Sequence, residues 1–220
     1  VSDNARVHLG RKNVLKVDLH DFFPSIRSPR VRAAFREMGY SRPIAKVLAE
    51  LCCLRCCLPQ GAPTSPALSN IIAYPMDKKM MALAGEYGLV YTRYADDLTF
   101  SGDYLPKDEV LVRIHRIIRE EGFTMNVKKT RFLSEHKRKI ITGVSVSSGK
   151  KMTLPKVKKR EIRKNVHYVL TKGLVGHQEH IGSTDPIYLK RLLGSLCYWR
   201  SIEPDNRYVS DSITALKRLM

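Results

Sequence analysis

The stretch LVYTRYADDLTFS, residues 89–101, decides how the 220-residue chain is organised. Apolar and polar side chains alternate on both sides of its centre, which predicts two short β-strands joined by a tight turn. The turn carries Asp96 and Asp97 side by side. Two adjacent carboxylates repel each other, so such a pair favours a bound divalent cation such as Mg²⁺. The alternative is a solvated turn, because Asp is common in turns for local hydrogen-bonding reasons.

A third acid favours the metal interpretation. Asp18 lies in VLKVDL, residues 14–19, a β-prone run in which a charge among apolar neighbours is costly without a partner. If this run lies beside the predicted hairpin, three acids meet at one edge of a sheet. That arrangement is typical of two-metal sites for phosphoryl or nucleotidyl transfer.

Four motifs, in order along the chain, resemble those of reverse transcriptases. YADD, residues 94–97, resembles the catalytic signature of the family, and DLHDFFPSI, residues 18–26, resembles its first metal-binding motif. LPQGAPTSP, residues 58–66, resembles the motif that positions template and nucleotide, and GFTMNVKKT, residues 122–130, resembles a later loop with a functional lysine. An ordered set of four is far more specific than any single motif.

Two shorter marks resemble the bacterial retron branch of that family. Asn4-Ala5 followed by His8 is similar to an Asn-Ala-x-x-His element that retron enzymes carry before the first Asp motif. Thr142-Gly143 is similar to their Val-Thr-Gly element, in the region that holds the template-primer RNA. The resemblance therefore implies nucleic-acid contacts for Asn4, His8, Thr142 and Gly143.

The resemblance also implies a metal and leaving-group site. Asp18, Asp96 and Asp97 would hold two Mg²⁺ ions, and Leu19, next to Asp18, belongs to the same metal site. Lys129 matches a lysine that protonates or stabilises the departing pyrophosphate. Its neighbour Lys128 is a rival for that role, and a solvated basic loop is the alternative to both.

A nucleotide site is implied by the same motifs. Phe23 matches a bulky residue that packs under the sugar and excludes a 2′-hydroxyl, which favours deoxynucleotides by shape. Asp21 is expected to shape the backbone under the triphosphate, with capping of the next helix as the alternative. Gln60 and Gly61 are expected to lie against the nascent base pair, with an ordinary helix-entry loop as the alternative.

The composition predicts a polyanionic partner. The formal net charge is +18, from 39 Lys and Arg against 21 Asp and Glu, and 43% of the residues are apolar, enough to bury a core. Nucleic acid is the simplest partner, since no long apolar run suggests a membrane. The sequence shows no signal peptide, which predicts the cytoplasm. The run CCLRCC, residues 52–57, lacks a second pair of zinc ligands, so we predict reduced cysteines that act as small buried hydrophobic residues.

The C-terminal part predicts a basic helical region. Residues 140–146 are strand-like and end at a turn. A run of Lys and Arg then follows at near-helical spacing, which predicts a thumb helix along the backbone of a nucleic-acid duplex, with Lys158, Lys159 and Arg163 among the contacts. Trp199 lies among helix-spaced leucines, which favours packing over base stacking.

Together these features predict an α/β (α+β) fold: a right-hand polymerase palm with an antiparallel sheet and packed helices, followed by a mainly helical thumb. We place the palm with partial fingers at residues 1–141 and the thumb, or template-primer RNA-binding region, at residues 142–220. The chain begins at Val1, and most of the N-terminal fingers region of the family is expected to be missing.

The predicted function is RNA-directed DNA synthesis of the retron type. The resemblance implies dNTPs, a structured non-coding RNA template-primer with its DNA product, and an effector protein in defence against phage as partners. The alternatives are an enzyme like those of group II introns or diversity-generating elements, an RNA-templated RNA polymerase, which Phe23 argues against, and a non-catalytic RNA-binding relative or fragment.

Overall fold

The computed structural model describes residues 2–219, which form two compact units. Residues 11–137 form the first, called here the sheet unit, and residues 138–219 with residues 2–10 form the second, called here the helical unit. The expected α+β class, with an antiparallel sheet, packed helices and a mainly helical C-terminal part, is confirmed. The assignment of residues 1–141 as palm and 142–220 as thumb remains a prediction. No helix among the described residues is long and apolar enough to span a membrane.

The sheet of the sheet unit has four antiparallel strands, which are β1 (Asn13–Leu19), β2 (Val90–Tyr94), β3 (Asp97–Gly102) and β4 (Met125–Leu133). They lie in the order β2-β3-β1-β4. Alternation along β1 sends Leu15, Val17 and Leu19 into the core and leaves Asp18 on the opposite face. The strands predicted on both sides of the turn and at residues 14–19 are therefore confirmed.

Five helices of the sheet unit pack beside these strands. In the last of them, Val110, Ile114 and Ile118 recur at four-residue spacing and are buried, which is the pattern of an amphipathic helix. Phe22, at the start of the first, is 3% exposed and belongs to the core. The helices are α2 (Phe22–Ser25), α3 (Ser28–Glu37), α4 (Arg42–Cys52), α5 (Ser65–Glu86) and α6 (Lys107–Glu120).

The helical unit combines a small hairpin with helices. The predicted continuous strand over residues 140–146 is wrong, because Thr142 and Gly143 have φ angles of 45° and 80° and turn the chain. Positive φ at both central residues is what a tight two-residue hairpin requires. Trp199 is fully buried, which confirms its packing role. The elements are α1 (Ser2–Arg6), β5 (Ile140–Ile141), β6 (Val144–Ser145), α7 (Lys156–Ile181), α8 (Tyr188–Ile202) and α9 (Arg207–Lys217).

The cysteine-rich segment differs from its prediction. Cys52 and Cys53 are partly buried and pack against the core, so the expected hydrophobic role is met in part for these two. Cys56 is exposed, and for it the expectation is wrong. The reason is local, because Arg55 and Cys56 have left-handed φ angles of 51° and 61° in a turn that backbone hydrogen bonds between Leu54 and Cys57 close.

Candidate active site

A two-residue turn between β2 and β3 carries Asp96, one of the three acids. Tyr94 and Asp97 are partners in the β2–β3 register, so Ala95 and Asp96 form the turn between them. Ala95 has a φ of 53°, a left-handed conformation that residues other than glycine rarely adopt. The carbonyl oxygen of Asp96 accepts a hydrogen bond of 2.9 Å from the Leu19 amide, which fixes the turn to the end of β1.

Strand β1 brings Asp18 to the same place. Asp18 lies directly opposite Asp97 in the β1–β3 register, and residues opposed in this way share one face of a sheet. The structure therefore brings Asp18, Asp96 and Asp97 to one end of the sheet. Asp18 is 7% exposed, and its Oδ1 atom is buried and accepts no hydrogen bond from the described residues. Such an unpaired carboxylate oxygen is costly, so this atom fits the role of a cation ligand.

Lys129 reaches the acids because strand β4 bulges. Asn126 pairs with Asp18, but the next pair joins Arg131 to Lys16, so residues 127–130 all lie opposite one residue of β1. A bulge of this kind redirects side chains, and Thr130 closes it with a 3.0 Å hydrogen bond from its Oγ1 to the Asn126 carbonyl. The Nζ of Lys129 then lies 3.2 Å from Oδ2 of Asp18. Lys128, the rival of Lys129, is exposed.

The electrostatics of the turn reflect this crowding. Burial raises the pKa of Asp96, and the charges of Asp97 and Asp18 raise it further, while a backbone hydrogen bond and Lys129 act in the opposite direction. The net direction is upward. A carboxyl group that resists ionisation beside two others is stabilised in its charged form when a cation binds, which fits a metal site.

A cavity of ≈ 250 Å³ opens beside Asp18 and Asp96. Seven of the residues that were assigned from the sequence to catalysis, metal binding or nucleotide binding line this cavity, while Asp97 and Gly61 lie outside its lining. Sequence reasoning gave no role there to His20, Phe22, Pro24 or Asn126. The lining residues are Asp18, Leu19, His20, Asp21, Phe22, Phe23, Pro24, Gln60, Asp96, Asn126 and Lys129.

The expected nucleotide residues have distinct surroundings. Phe23 is partly buried and packs against Phe22 with ring centroids 5.3 Å apart. Asp21 precedes α2 in a left-handed conformation with a φ of 45° and makes no side-chain cap, so the capping alternative is wrong. Its carboxylate instead lies 3.2 Å from Nδ1 of His20. Gln60 and Gly61 are exposed, and Gly61 has a φ of 90° that suits glycine.

The three acids do not form a finished metal site. Within residues 2–219, no group of three His, Cys, Asp or Glu side chains converges closely enough to hold an ion. The ammonium of Lys129 provides the positive charge that faces Asp18. The hard oxygen donors and the unpaired Oδ1 of Asp18 nevertheless fit Mg²⁺, which prefers carboxylates and commonly shares its shell with substrate phosphates.

The retron-like marks lie in the helical unit. Thr142 and Gly143 form the hairpin turn, and Asn4 is partly exposed on α1. His8 is fully buried, so its ring presents no surface for the direct RNA contact that we expected. It follows α1, and its amide donates to the carbonyl of Ala5 at 3.2 Å.

Two of the three predicted basic contacts take part in packing. Lys159 lies 2.7 Å from Glu203 and 5.6 Å from the ring centre of Trp199. Arg163 lies 5.5 Å from the same ring centre. Lys158 is exposed and pairs with Glu161 one turn along the helix at 2.9 Å. The nucleic-acid role of all three remains a prediction.

Sequence reasoning missed two residues, Arg93 and Asp77, that support the turn at Ala95 and Asp96. Arg93 on β2 and Asp77 on α5 form an ion pair at 2.6 Å, with side-chain exposures of 6% and 18%. A single arginine in a strand of otherwise uncharged residues, and an acid in the middle of a largely apolar helix, were the available signals. The pairing itself depends on tertiary structure.

Comparison of the sequence with known proteins identifies the family of the chain. Residues 2–169 match the family described as reverse transcriptase (RNA-dependent DNA polymerase). The chain belongs to that family. Its relatives include the retron Ec86 reverse transcriptase of Escherichia coli, 39% identical over 183 residues, covering 82% of this chain and 56% of that protein. The retron Mx65 reverse transcriptase of Myxococcus xanthus is 36% identical over 225 residues, covering 93% of this chain and 50% of that protein.

The predicted resemblance to retron reverse transcriptases is therefore confirmed. This member of the family spans about half the length of the curated relatives that it matches. Among solved structures, a Candida albicans telomerase in complex with a fragment of telomeric RNA is similar over 99% of this chain and 50% of that one, at 11% identity and a TM-score of 0.47. A likeness this distant adds nothing to the family assignment.

Proposed function

We propose that the sheet unit is the catalytic core of a retron-type RNA-directed DNA polymerase, which adds deoxynucleotides to a primer on an RNA template. The observation that carries the proposal is the meeting of Asp18, Asp96 and Asp97 at one end of the sheet, beside a cavity lined by Phe23 and Lys129. Membership of the reverse transcriptase family supports the same class of reaction.

Asp18, Asp96 and Asp97 are the residues that would hold Mg²⁺, two ions in this proposal. When bound, the ions would supply activation of the attacking primer hydroxyl and stabilisation of the charge that develops on the phosphate. Lys129 offsets the carboxylate charge beside them and can donate a proton or hydrogen bond to a phosphate in the cavity. The raised pKa of Asp96, which burial and the neighbouring carboxylates cause, fits a site where a bound cation stabilises the charged form.

Phe23 is proposed to select the sugar. It lines the cavity and is held by its contact with the buried ring of Phe22, so its position is fixed by the core. A rigid aromatic side chain excludes a hydroxyl by shape alone, without a hydrogen bond. Asp21 and Gln60 line the same cavity and are proposed to contact the nucleotide, with Gly61 next to them in the loop.

An RNA partner is supported by charge. The net charge of +18 favours a polyanion. The retron relationship extends this proposal to a structured non-coding RNA as template and primer, and to a role in phage defence with an effector protein. All five cysteines are free thiols, which fits a reducing compartment such as the cytoplasm.

Primer extension on an RNA template tests the proposal. The full native polypeptide is incubated with Mg²⁺ and either dNTPs or NTPs, together with Asp97→Asn and a control, Asp108→Asn, at an acid on α6 whose side chain is 94% exposed. We expect dNTP incorporation by the wild type and the control, and loss in Asp97→Asn by about 10³-fold or more, because carboxylate ligands are required for the ions. Absence of dNTP incorporation by the wild type would contradict the proposed function.

The RNA partner is tested separately. Sequencing the RNA that copurifies with the native polypeptide should find one structured non-coding RNA enriched over the cellular background. A random sample of cellular RNA would contradict the retron-type partner while leaving the polymerase proposal to the extension assay.

A further inference from the structure

A partly buried polar cluster, formed by Asp77, Tyr91 and Arg93, lies on the core side of the sheet, behind the turn that carries Asp96. Asp77 on α5 accepts hydrogen bonds from Nε and Nη2 of Arg93 at 2.8 and 2.6 Å, and from the hydroxyl of Tyr91 at 2.7 Å. Tyr91 and Arg93 lie on the face of β2 that meets α5, because their register partners Phe100 and Leu98 belong to the core. The cluster therefore fixes α5 to β2.

Arg93 also reaches the turn itself. Its Nη1 donates to the carbonyl oxygen of Ala95 at 3.2 Å and to Oδ1 of Asn70 at 3.1 Å. Ala95 is the turn residue with a φ of 53°, a conformation that needs support when the residue has a side chain. One guanidinium thus joins α5 to the strained residue directly before Asp96.

The same guanidinium contacts the aromatic pair at the start of α2. Its central carbon lies 5.7 Å from the ring centre of Phe22, whose ring is 5.3 Å from that of Phe23. A guanidinium over an aromatic face is attractive, and burial strengthens the contact. Arg93 therefore contacts both elements that meet at the site, the turn and the aromatic pair at the start of α2.

We propose that Arg93, oriented by Asp77, is a positioning residue that holds the Ala95-Asp96 turn in the geometry needed by the three acids. Arginine suits this role because its planar fork can bind a carboxylate with two donors while a third donor reaches elsewhere. Lysine would keep the charge and lose that simultaneous contact. Arg93 acts through the Ala95 carbonyl and lies outside the lining of the cavity.

Hydrogen exchange at one amide tests the proposal without any catalysis. The Leu19 amide donates to the Asp96 carbonyl, so its exchange rate reports whether the turn stays in place. We expect Arg93→Lys to speed exchange at Leu19 by about tenfold, with little change at the central pairs of β1 and β3. Arg113→Lys is the matched control, since Arg113 pairs with Glu86 near the end of α5 and approaches the hydroxyl of Tyr87.

A milder variant keeps the test decisive if Arg93→Lys does not fold. Tyr91→Phe removes one donor to Asp77 and keeps the ring that packs on Phe100 at 4.8 Å. It should raise exchange at Leu19 in the same direction and by less. Unchanged exchange at Leu19 in the folded variants, or a uniform rise across the sheet with a lower Tm, would overturn the positioning role.

The catalytic readout rests on the proposed function. Primer extension by Arg93→Lys should show kcat lowered by about 100-fold with KM for dNTP within about twofold, since a misplaced turn affects the reacting geometry more than nucleotide binding. An unchanged kcat in an active wild type would overturn the proposal. If the wild type itself is inactive, the proposed function fails, and the exchange of Leu19 still decides the role of Arg93.

Discussion

Replacing Lys129 with methionine separates a role in chemistry from a role in stability. Its Nζ lies 3.2 Å from Asp18, but the Lys129 side chain is 64% exposed. The gross attraction at that distance is about 1 kcal/mol in water and about 5 kcal/mol at an effective dielectric of 20. Exposed ion pairs retain only about 0–1 kcal/mol after side-chain entropy and solvation are included. The Asp18 side chain, however, is only 9% exposed, and a buried acceptor that loses its partner costs about 1–3 kcal/mol. Lys129→Met should therefore lower the free energy of unfolding by about 1–3 kcal/mol.

Its effect on activity should be much larger. A positioned proton donor contributes about 10²–10⁴-fold to a rate, so we expect kcat for dNTP addition to fall by at least about 100-fold. The matched control is Lys128→Met, because Lys128 is exposed on the same bulge and lies outside the cavity lining. Single-turnover extension and urea unfolding measure the two effects. Equal activity losses in the two variants would refute the assignment of the catalytic role to Lys129, and a loss of stability well above about 3 kcal/mol would refute the estimate for its pair with Asp18.

Three further predictions follow from the structure. Phe23→Ala should admit ribonucleotides, so the ratio of kcat/KM for dNTP to that for NTP should fall by at least about tenfold; an unchanged ratio would contradict the sugar selection. Ala95→Gly should be within about 1 kcal/mol of wild type in unfolding, whereas Ala95→Val should cost about 1–2 kcal/mol, because the φ of 53° suits glycine; equal stabilities would contradict the strain argument. Burial opposes ionisation of Glu203, but hydrogen bonds from Lys159, the Leu154 amide and its other neighbours outweigh it and hold its pKa below the ordinary value of 4.5. Because the pKa of Glu203 is lowered in the folded state, its stabilisation is complete above pH 4.5 and is lost as the pH falls through the folded pKa. The Tm of Glu203→Gln should therefore fall less steeply with decreasing pH than the Tm of wild type. Parallel curves of Tm against pH would contradict this.

The local features of the fold could be predicted because their signals are periodic. Alternation around the turn at residues 89–101 predicted the hairpin, and the apolar neighbours of Asp18 predicted the strand at residues 14–19. The proximity of Asp18 to the hairpin followed from a family resemblance and from the cost of an isolated charge, and the β1–β3 register agrees with it.

Features that depend on irregular backbone could not be predicted in the same way. The bulge opposite Val17 is a property of strand pairing, so the reach of Lys129 to Asp18 had no sequence signal beyond the family motif. Residues 140–146 alternate as a strand does, and only the left-handed backbone at Thr142 and Gly143 divides them. The exposure of Cys56 was not predicted, because the turn that exposes it is not indicated by its residue type.

Contacts between polar side chains of different elements also could not be predicted from the sequence. Arg93 and Asp77 are far apart along the chain, and their pairing requires α5 to pack on β2, which no local pattern specifies. His8 matched a motif associated with RNA, yet the structure buries it fully. A motif gives the identity of a residue, whereas burial decides which groups it can contact.

Anomalous diffraction from crystals of the native polypeptide soaked in Mn²⁺ shows whether Asp18, Asp96 and Asp97 hold divalent cations. We expect manganese peaks within coordination distance of the Asp18 and Asp97 carboxylates, and their loss in Asp18→Asn. Ordered manganese elsewhere on the protein, with none between these carboxylates, would contradict this expectation.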